Sequence, residues 1–131
     1  MSFDPDPNKV IPIAIAGAVN ALKAAYAEPS VKRFVLTSSS SAALPAGEKA
    51  YLEGRVVTET TWSEDAVGLA WAPPPYAPSR SSAVYSASKV EAEQAIWRYH
   101  EKNQERRPGL VVNAGKLYPP GDRCEALLRL T

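Results

Sequence analysis

Apolar residues recur at helical spacing in two stretches of this 131-residue chain. In residues 9–27 the large aliphatic positions form one stripe: Ile11, Ile15, Val19 and Leu22. In residues 81–98 the apolar positions are Val84, Ala87, Ala92, Ala95 and Ile96, with Tyr99 just beyond. Side chains three or four residues apart lie on one face of a helix, so the pattern predicts two amphipathic helices.

The boundaries of the first helix follow from its flanking residues. Asp6 or Asn8 can cap its beginning, and Pro29 favours an end at the preceding residue. Pro12 has no N–H to donate, so we expect it to lie in the first turn, where that group is not needed.

Two short runs predict buried strands, at residues 33–38 and 110–113. The first contains Phe34-Val35-Leu36-Thr37 and the second Leu110-Val111-Val112, both without alternation between apolar and polar residues. Such runs are typical of parallel strands buried on both faces. The order helix, strand, long loop, helix, strand therefore predicts an α/β fold, a partial Rossmann-like doubly wound parallel sheet. We predict a single domain over residues 1–131, with 114–131 as a divergent tail.

The connection between the two halves, residues 42–80, is long and rich in turn-forming residues. Residues 72–78 read APPPYAP, which disfavours regular structure. A loop of this length is usually functional or disordered, although Trp62 and Trp71 suggest that part of it packs. We expect residues 43–82 to be the region most sensitive to proteases.

Composition narrows the classes of function. The formal net charge is +1 and there is no long run of one sign, which argues against a nucleic-acid surface. Cys124 is the only cysteine, so neither an internal disulfide nor a thiolate metal site is expected. His100 is the only histidine and stands in a charged run, where we expect a solvated side chain. The acidic, proline-containing beginning does not resemble a secretory signal, and the apolar stretch 10–25 is interrupted by polar residues and too short to span a bilayer. These features predict a cytoplasmic protein without a membrane partner.

Two features carry candidate chemistry. Tyr85 and Lys89 are four residues apart and share a helical face, where an ammonium favours the phenolate form of a nearby phenol and the pair can transfer protons. Alternatively, Lys89 is an exposed side chain that pairs with Glu93, worth a few tenths of a kcal/mol. The four serines 38–41 follow the first strand, where α/β sheets bind ligands, or they form an ordinary polar loop.

These segments together resemble a known family. The chain is similar to the catalytic core of the extended short-chain dehydrogenase/reductases, and within them to NADPH-dependent aldehyde and ketone reductases like dihydroflavonol reductase. The likeness rests on residues 31–44, VKRFVLTSSSSAAL, and 83–100, AVYSASKVEAEQAIWRYH, and extends to the helix in residues 6–25. It covers residues 4–113.

The resemblance implies reduction of a small-molecule carbonyl by hydride transfer, with no metal. Tyr85 would be the general acid, and Lys89 would support Tyr85 and bind the nicotinamide ribose. Ser39 takes the place of the serine that holds the carbonyl, with Ser38 and Ser40 as weaker candidates.

The resemblance also implies a cofactor, NADP or NAD. The residues implied at its site are Thr37, Ser38, Tyr85 and Lys89. The family's glycine-rich turn, however, is missing, since none of the seven glycines has the spacing G-x-G-x-x-G. We expect the chain to correspond to an internal part of a reductase. The alternative is a catalytically inactive fragment or an interaction protein without a cofactor site, which could self-associate through exposed apolar faces.

Overall fold

The computed structural model describes residues 4–44, 57–58 and 60–115. The helices and strands follow in the order α1 (Pro7–Ala27), β1 (Arg33–Thr37), α2 (Glu64–Ala70), α3 (Ser81–Asn103) and β2 (Val111–Gly115). Short 3-10 helices lie at Ser40–Ala42, Pro78–Arg80 and Gln104–Arg106. The α/β class and the order of the two long helices and two strands are confirmed.

Helix α1 begins at Pro7, because the side chain of Asp6 accepts a hydrogen bond from the Asn8 amide at 3.0 Å. Asp6 is therefore the cap, and the proline in the first helical position loses no bond. The expectation for Pro12 is wrong, since it lies in the second turn. Its ring cannot donate to the Asn8 carbonyl, but both residues are exposed, so water can satisfy that carbonyl.

The predicted stripe of α1 is its buried face. Ile11 and Leu22 are fully buried, Ala18 lies between them, and Ile15 and Val19 are half-buried. With 21 residues, α1 is long and apolar enough to cross a membrane, which corrects the expectation that this stretch is too short. Its stripe packs along α3, as the core helix of a folded domain does.

The two strands pair in parallel, from Arg33 beside Val111 to Thr37 beside Gly115. Strand β2 thus continues two residues past Asn113, where the sequence pattern had suggested an end. The expectation of burial on both faces is wrong for β1, since Val35 is 59% exposed. The reason is that successive side chains of a strand point to opposite faces: Phe34 and Leu36 pack against the buried residues of α1, α3 and β2, whereas Val35 lies on the other face.

Helix α3 is the centre of the packing and contacts α1, α2 and the 3-10 helix Ser40–Ala42. Two apolar clusters lie along it. The larger comprises Ala18, Leu22, Ala25, Tyr26, Ala92, Ile96, Leu110 and Val112, and the smaller Ile11, Ala70, Val84 and Ala87. The first cluster joins the C-terminal halves of α1 and α3 to β2, and the second joins their N-terminal halves to α2.

Arg107 fastens the C-terminal end of α1 to the segment that follows α3. Its guanidinium donates to the carbonyls of Ala25, Tyr26, Glu28 and Val31 at 3.3, 3.0, 3.0 and 2.8 Å. The last carbonyls of a helix have no partners within it, so the cation satisfies them and also complements the negative end of the helix dipole.

The expectation that residues 42–80 form a long loop is wrong at α2, which is a helix. Glu64 and Asp65 occupy its first turn, where acidic side chains favour a helix, and Ala66 and Ala70 are buried. Trp71 donates its indole N–H to the Glu91 carboxylate of α3, so part of the connection packs, as expected. Residues 45–56 and 59 of the connection, and 116–131 of the expected tail, lie outside the described residues.

Candidate functional site

The serine segment leaves the sheet in an extended conformation and then turns. The Ser38 amide donates to the Gly115 carbonyl at 2.8 Å, which prolongs the pairing of β1 with β2. Ser39 caps the next 3-10 helix, since its Oγ accepts from the Ser41 amide at 3.2 Å. A hydroxyl that accepts one bond keeps its own proton to donate, so Ser39 remains able to bind an oxygen.

Ser38 has the more unusual hydroxyl. The side chain is 7% exposed, and its Oγ has no hydrogen-bond partner among the described residues. A buried hydroxyl without a partner costs about 1–3 kcal/mol relative to a satisfied one. Such a group is retained more readily where a ligand can bond to it.

Tyr85 and Lys89 share one face of α3, as the spacing predicted. The Lys89 ammonium lies 5.6 Å from the centroid of the Tyr85 ring, and both residues are half-buried. Glu93 is 2% exposed, so it is not the solvated surface partner that the alternative interpretation assumed. Ser88 donates its hydroxyl to the Tyr85 carbonyl at 2.7 Å, a bond within the helix.

A groove of about 420 Å³ runs between α1, β1 and α3. Its polar lining comprises Thr37, Ser38, Ser88 and Lys89. The remaining lining residues are Ala14, Gly17, Ala18, Ala21, Phe34, Val35, Leu36 and Ala92. Among the described residues, Lys89 is therefore the one charged group that lines this mostly apolar groove.

A smaller cavity of about 210 Å³ adjoins the groove and contains Tyr85 in its lining. The two share Ala14, Ser88 and Lys89. Lys89 thus contacts the space beside Thr37 and Ser38 and also the space beside Tyr85. Ser39 lines neither cavity, although the 3-10 helix that it caps packs against α3.

Two polar residues that line these cavities, Ser88 and Lys9, were not predicted from the sequence. Ser88 lies between the predicted positions, three residues after Tyr85, and helical spacing could have placed it on their face. Lys9 brings a second ammonium to the smaller cavity. It also pairs loosely with Asp4 and Asp6, at 3.6 and 3.9 Å, and no motif signals it.

His100 lies far from these cavities, since fifteen residues of helix separate it from Tyr85, about 22 Å. The expectation of a solvated histidine is wrong, because its Nδ1 is 2.7 Å from the Tyr26 hydroxyl and its ring contacts Trp97. Burial, and next the proximity of Tyr99, raise the pKa of Tyr26, whereas Arg107 and Arg106 oppose that shift.

Within the part of the chain that the structure describes, no three His, Cys, Asp or Glu side chains come together as they would around a metal ion. Cys124 lies outside that part.

The element order, the parallel strand pair and the groove beside the end of β1 define a partial Rossmann-like α/β domain. An NAD-dependent epimerase/dehydratase of Aspergillus terreus is 43% identical to the chain over 114 residues, and aldehyde reductase 2 of Sporidiobolus salmonicolor is 43% identical over 115. An anthocyanidin reductase of Vitis vinifera is 37% identical over 102 residues. The chain belongs to the extended short-chain dehydrogenase/reductase family.

The extent of these matches is uneven. The first two cover 87% of this chain and 32% of each relative, and the third covers 78% and 27%. The chain therefore spans about a third of the length of the curated relatives it matches. No protein-family model matches it.

Proposed function

We propose that the chain carries the proton-donating part of an NAD(P)H-dependent reductase that acts on a small-molecule aldehyde or ketone. The observation that carries this proposal is the position of Lys89, which lines both the groove beside Thr37 and Ser38 and the cavity beside Tyr85. The relatives named as reductases support the class of reaction.

Tyr85 is the general acid in this proposal. Its hydroxyl gives a proton to the carbonyl oxygen as negative charge develops there, and the carbonyl becomes an alcohol. Lys89, 5.6 Å from the centre of the phenol ring, stabilises the negative charge left on Tyr85.

A serine hydroxyl holds the carbonyl oxygen during this step. Ser39 has the position that the family resemblance implies and an O–H free to donate. Ser38 has a buried and unpartnered hydroxyl in the lining of the groove and is the alternative. A fixed donor at the oxygen favours the transition state, because the charge appears there.

The polar lining also fits the sugar of a nicotinamide cofactor, NADP or NAD. When bound, the reduced cofactor supplies the hydride. The unpartnered Ser38 hydroxyl, Thr37 and the Lys89 ammonium offer donors and acceptors for ribose hydroxyls. The cofactor's pyrophosphate has no counterpart in a glycine-rich turn of this chain, so we expect the chain alone to bind the cofactor weakly.

For the intact enzyme we propose a cytoplasmic location and no nucleic-acid or membrane partner. A second candidate function is that of an inactive fragment or interaction protein that self-associates through apolar faces. The exposure of Ile13 and Val35, 71% and 59%, favours this alternative.

The test uses a completed enzyme, in which the flanking parts of aldehyde reductase 2 of Sporidiobolus salmonicolor are joined to this chain. We expect carbonyl reduction with NADPH or NADH, and a fall in turnover of about 100- to 10,000-fold in Tyr85→Phe. Tyr76→Phe is the matched control. It removes a phenol hydroxyl that lines neither cavity and accepts a hydrogen bond from Asn8 at 3.3 Å, and it should keep most of the activity. If Tyr85→Phe is as active as that control, Tyr85 is not the proton donor.

A further inference from the structure

Ser88 is a buried serine that borders both cavities. The residue is 4% exposed, and it lies in the lining of the groove and of the smaller cavity. Its hydroxyl donates its proton to the Tyr85 carbonyl at 2.7 Å. A hydroxyl oxygen has two lone pairs, and among the described residues no group donates a hydrogen bond to this one. The Ser88 oxygen is therefore able to accept a hydrogen bond, while its proton is already in use.

The two ammonium groups that line the smaller cavity do not bond to this oxygen. Lys89 is the next residue along α3, and adjacent residues of a helix do not face each other. Lys9 lies beside the carboxylates of Asp4 and Asp6, with N···O distances of 3.6 and 3.9 Å. In the described part of the chain, neither ammonium forms a hydrogen bond to Ser88. The lone pairs of the Ser88 oxygen are thus left for a bound molecule.

Donors and acceptors are unequally represented around the smaller cavity. Its polar side chains are Lys9, Tyr85, Ser88 and Lys89, and the rest of its lining is apolar. The two ammonium groups can only donate, and the Tyr85 hydroxyl is the proton donor of the proposed function. Among the described residues of this lining, Ser88 therefore has the one side-chain oxygen that is set to accept. A ligand has to place a hydroxyl or N–H group beside it, because a carbonyl oxygen there would face its lone pairs.

We propose that Ser88 accepts a hydrogen bond from a hydroxyl group of the substrate, so that the enzyme prefers an aldehyde or ketone that also carries a hydroxyl. The inference rests on the proposed function, because it places the substrate carbonyl at Tyr85, which lines the same cavity. The cavity volume of about 210 Å³ suits a molecule of a few carbon atoms. An analogue without the hydroxyl displaces solvent from the Ser88 oxygen and does not replace the hydrogen bond, which lowers its affinity.

The experiment compares ketones that share one carbon skeleton, namely butan-2-one, 3-hydroxybutan-2-one and 4-hydroxybutan-2-one. The two hydroxy ketones differ in the distance between the hydroxyl and the carbonyl. In the completed enzyme, Ser88→Ala should lower kcat/KM for at least one hydroxy ketone, relative to butan-2-one, about 3- to 10-fold, the effect of one neutral hydrogen bond. The ratio to butan-2-one cancels the effect of the lost bond to the Tyr85 carbonyl, since that loss acts on all the ketones alike.

Ser86→Ala is the matched control. Ser86 is a fully buried serine of the same helix, two residues earlier, and it lines neither cavity. Its hydroxyl has no hydrogen-bond partner among the described residues, so its removal breaks no bond there. The ratio of kcat/KM between the hydroxy ketones and butan-2-one should be the same in Ser86→Ala as in the parent.

A binding measurement separates this inference from the proposed function. NMR titration of the isotope-labelled full chain with the same ketones gives the ratio of their Kd values without catalysis, from the amide signals of Tyr85 and Ser88. The parent should bind one hydroxy ketone more tightly than butan-2-one, and Ser88→Ala should remove that preference. If the completed enzyme reduces no ketone while the chain shows this preference, the proposed function fails and the acceptor role of Ser88 stands.

Three outcomes overturn the inference. The first is a parent that binds butan-2-one as tightly as both hydroxy ketones. The second is an equal loss of preference in Ser86→Ala and Ser88→Ala, which would assign the effect to the packing of α3. The third is an unchanged preference in Ser88→Ala together with a higher Kd for the cofactor, measured by cofactor fluorescence, which would assign the Ser88 oxygen to a sugar hydroxyl of the cofactor.

Discussion

The two ends of the α1–α3 pair are built differently. At the C-terminal end of α1, Arg107 satisfies four carbonyls and the Tyr26 hydroxyl bonds to His100 over a buried apolar cluster. At the opposite end the Ser38 hydroxyl has no partner among the described residues, and Val35 is largely exposed. The helix-end carbonyls and the Tyr26 hydroxyl are thus satisfied at one end, whereas the Ser38 hydroxyl is available where the groove opens. The predictions below separate these two ends.

The largest effect is expected at Lys89. In the completed enzyme Lys89→Ala should lower turnover about 100- to 10,000-fold, because it removes the charge that assists Tyr85. It should also raise the Kd of the cofactor, which cofactor fluorescence can measure. Lys102→Ala, an exposed lysine near the other end of α3, is the control. If the Lys89→Ala enzyme kept full turnover and cofactor affinity, Lys89 would neither assist Tyr85 nor bind the cofactor.

The second largest loss of turnover is expected for substitutions of the serines. Ser39→Ala should lower turnover about 10- to 1,000-fold in the completed enzyme, the effect of losing one donor to the developing oxyanion. Ser38→Ala and Ser40→Ala made in parallel decide the assignment by steady-state kinetics. A larger loss in Ser38→Ala would transfer the role to the buried, unpartnered hydroxyl that lines the groove.

At the fastened end, Arg107→Ala should lower the free energy of unfolding of the chain by about 1.5–3 kcal/mol, since it removes charge-assisted hydrogen bonds. Arg106→Ala is matched in type and position but loses only one exposed bond to Asn103, so it should cost less than about 0.5 kcal/mol. Urea unfolding followed by circular dichroism measures both. Equal midpoints for the two variants would show that Arg107 does not stabilise the end of α1.

The smallest expected effect is a change in folding stability at alkaline pH. The folded state raises the pKa of Tyr26, chiefly through burial, above the value of about 10 in an unfolded chain. The associated stability is present below pH 10 and is lost as pH rises through the folded pKa. Tyr26→Phe should therefore lose less stability than the parent between neutral pH and the alkaline range in thermal melts. If the stability of Tyr26→Phe and of the parent fell equally with rising pH, the ionisation of Tyr26 would not be the cause.

The features that were predicted correctly from the sequence are those that depend only on neighbouring residues. The stripe from Ile11 to Leu22 and the Tyr85–Lys89 spacing depend only on helical periodicity, and both were correct. Helix α2 was missed because seven residues give too short a periodic signal. The exposure of Val35 depends on what packs on its face of the sheet, which the apolar run itself does not reveal.

The candidate site was predictable to a similar degree. Spacing brings Lys89 to Tyr85, and the end of β1 brings Thr37 and Ser38 to the groove. The Arg107 contacts join residues 76 to 82 positions apart, so no motif could indicate them. His100 was misjudged for the same reason, because its partner Tyr26 lies 74 positions away.

The Arg107 contacts also act as a cross-link between distant parts of the chain. They join residue 107 to carbonyls of residues 25–31, whereas Ile11, near the other end of α1, is held by packing in the smaller apolar cluster. One end of α1 is thus attached by hydrogen bonds and the other by apolar contacts, so a substitution at either end leaves the other attachment in place.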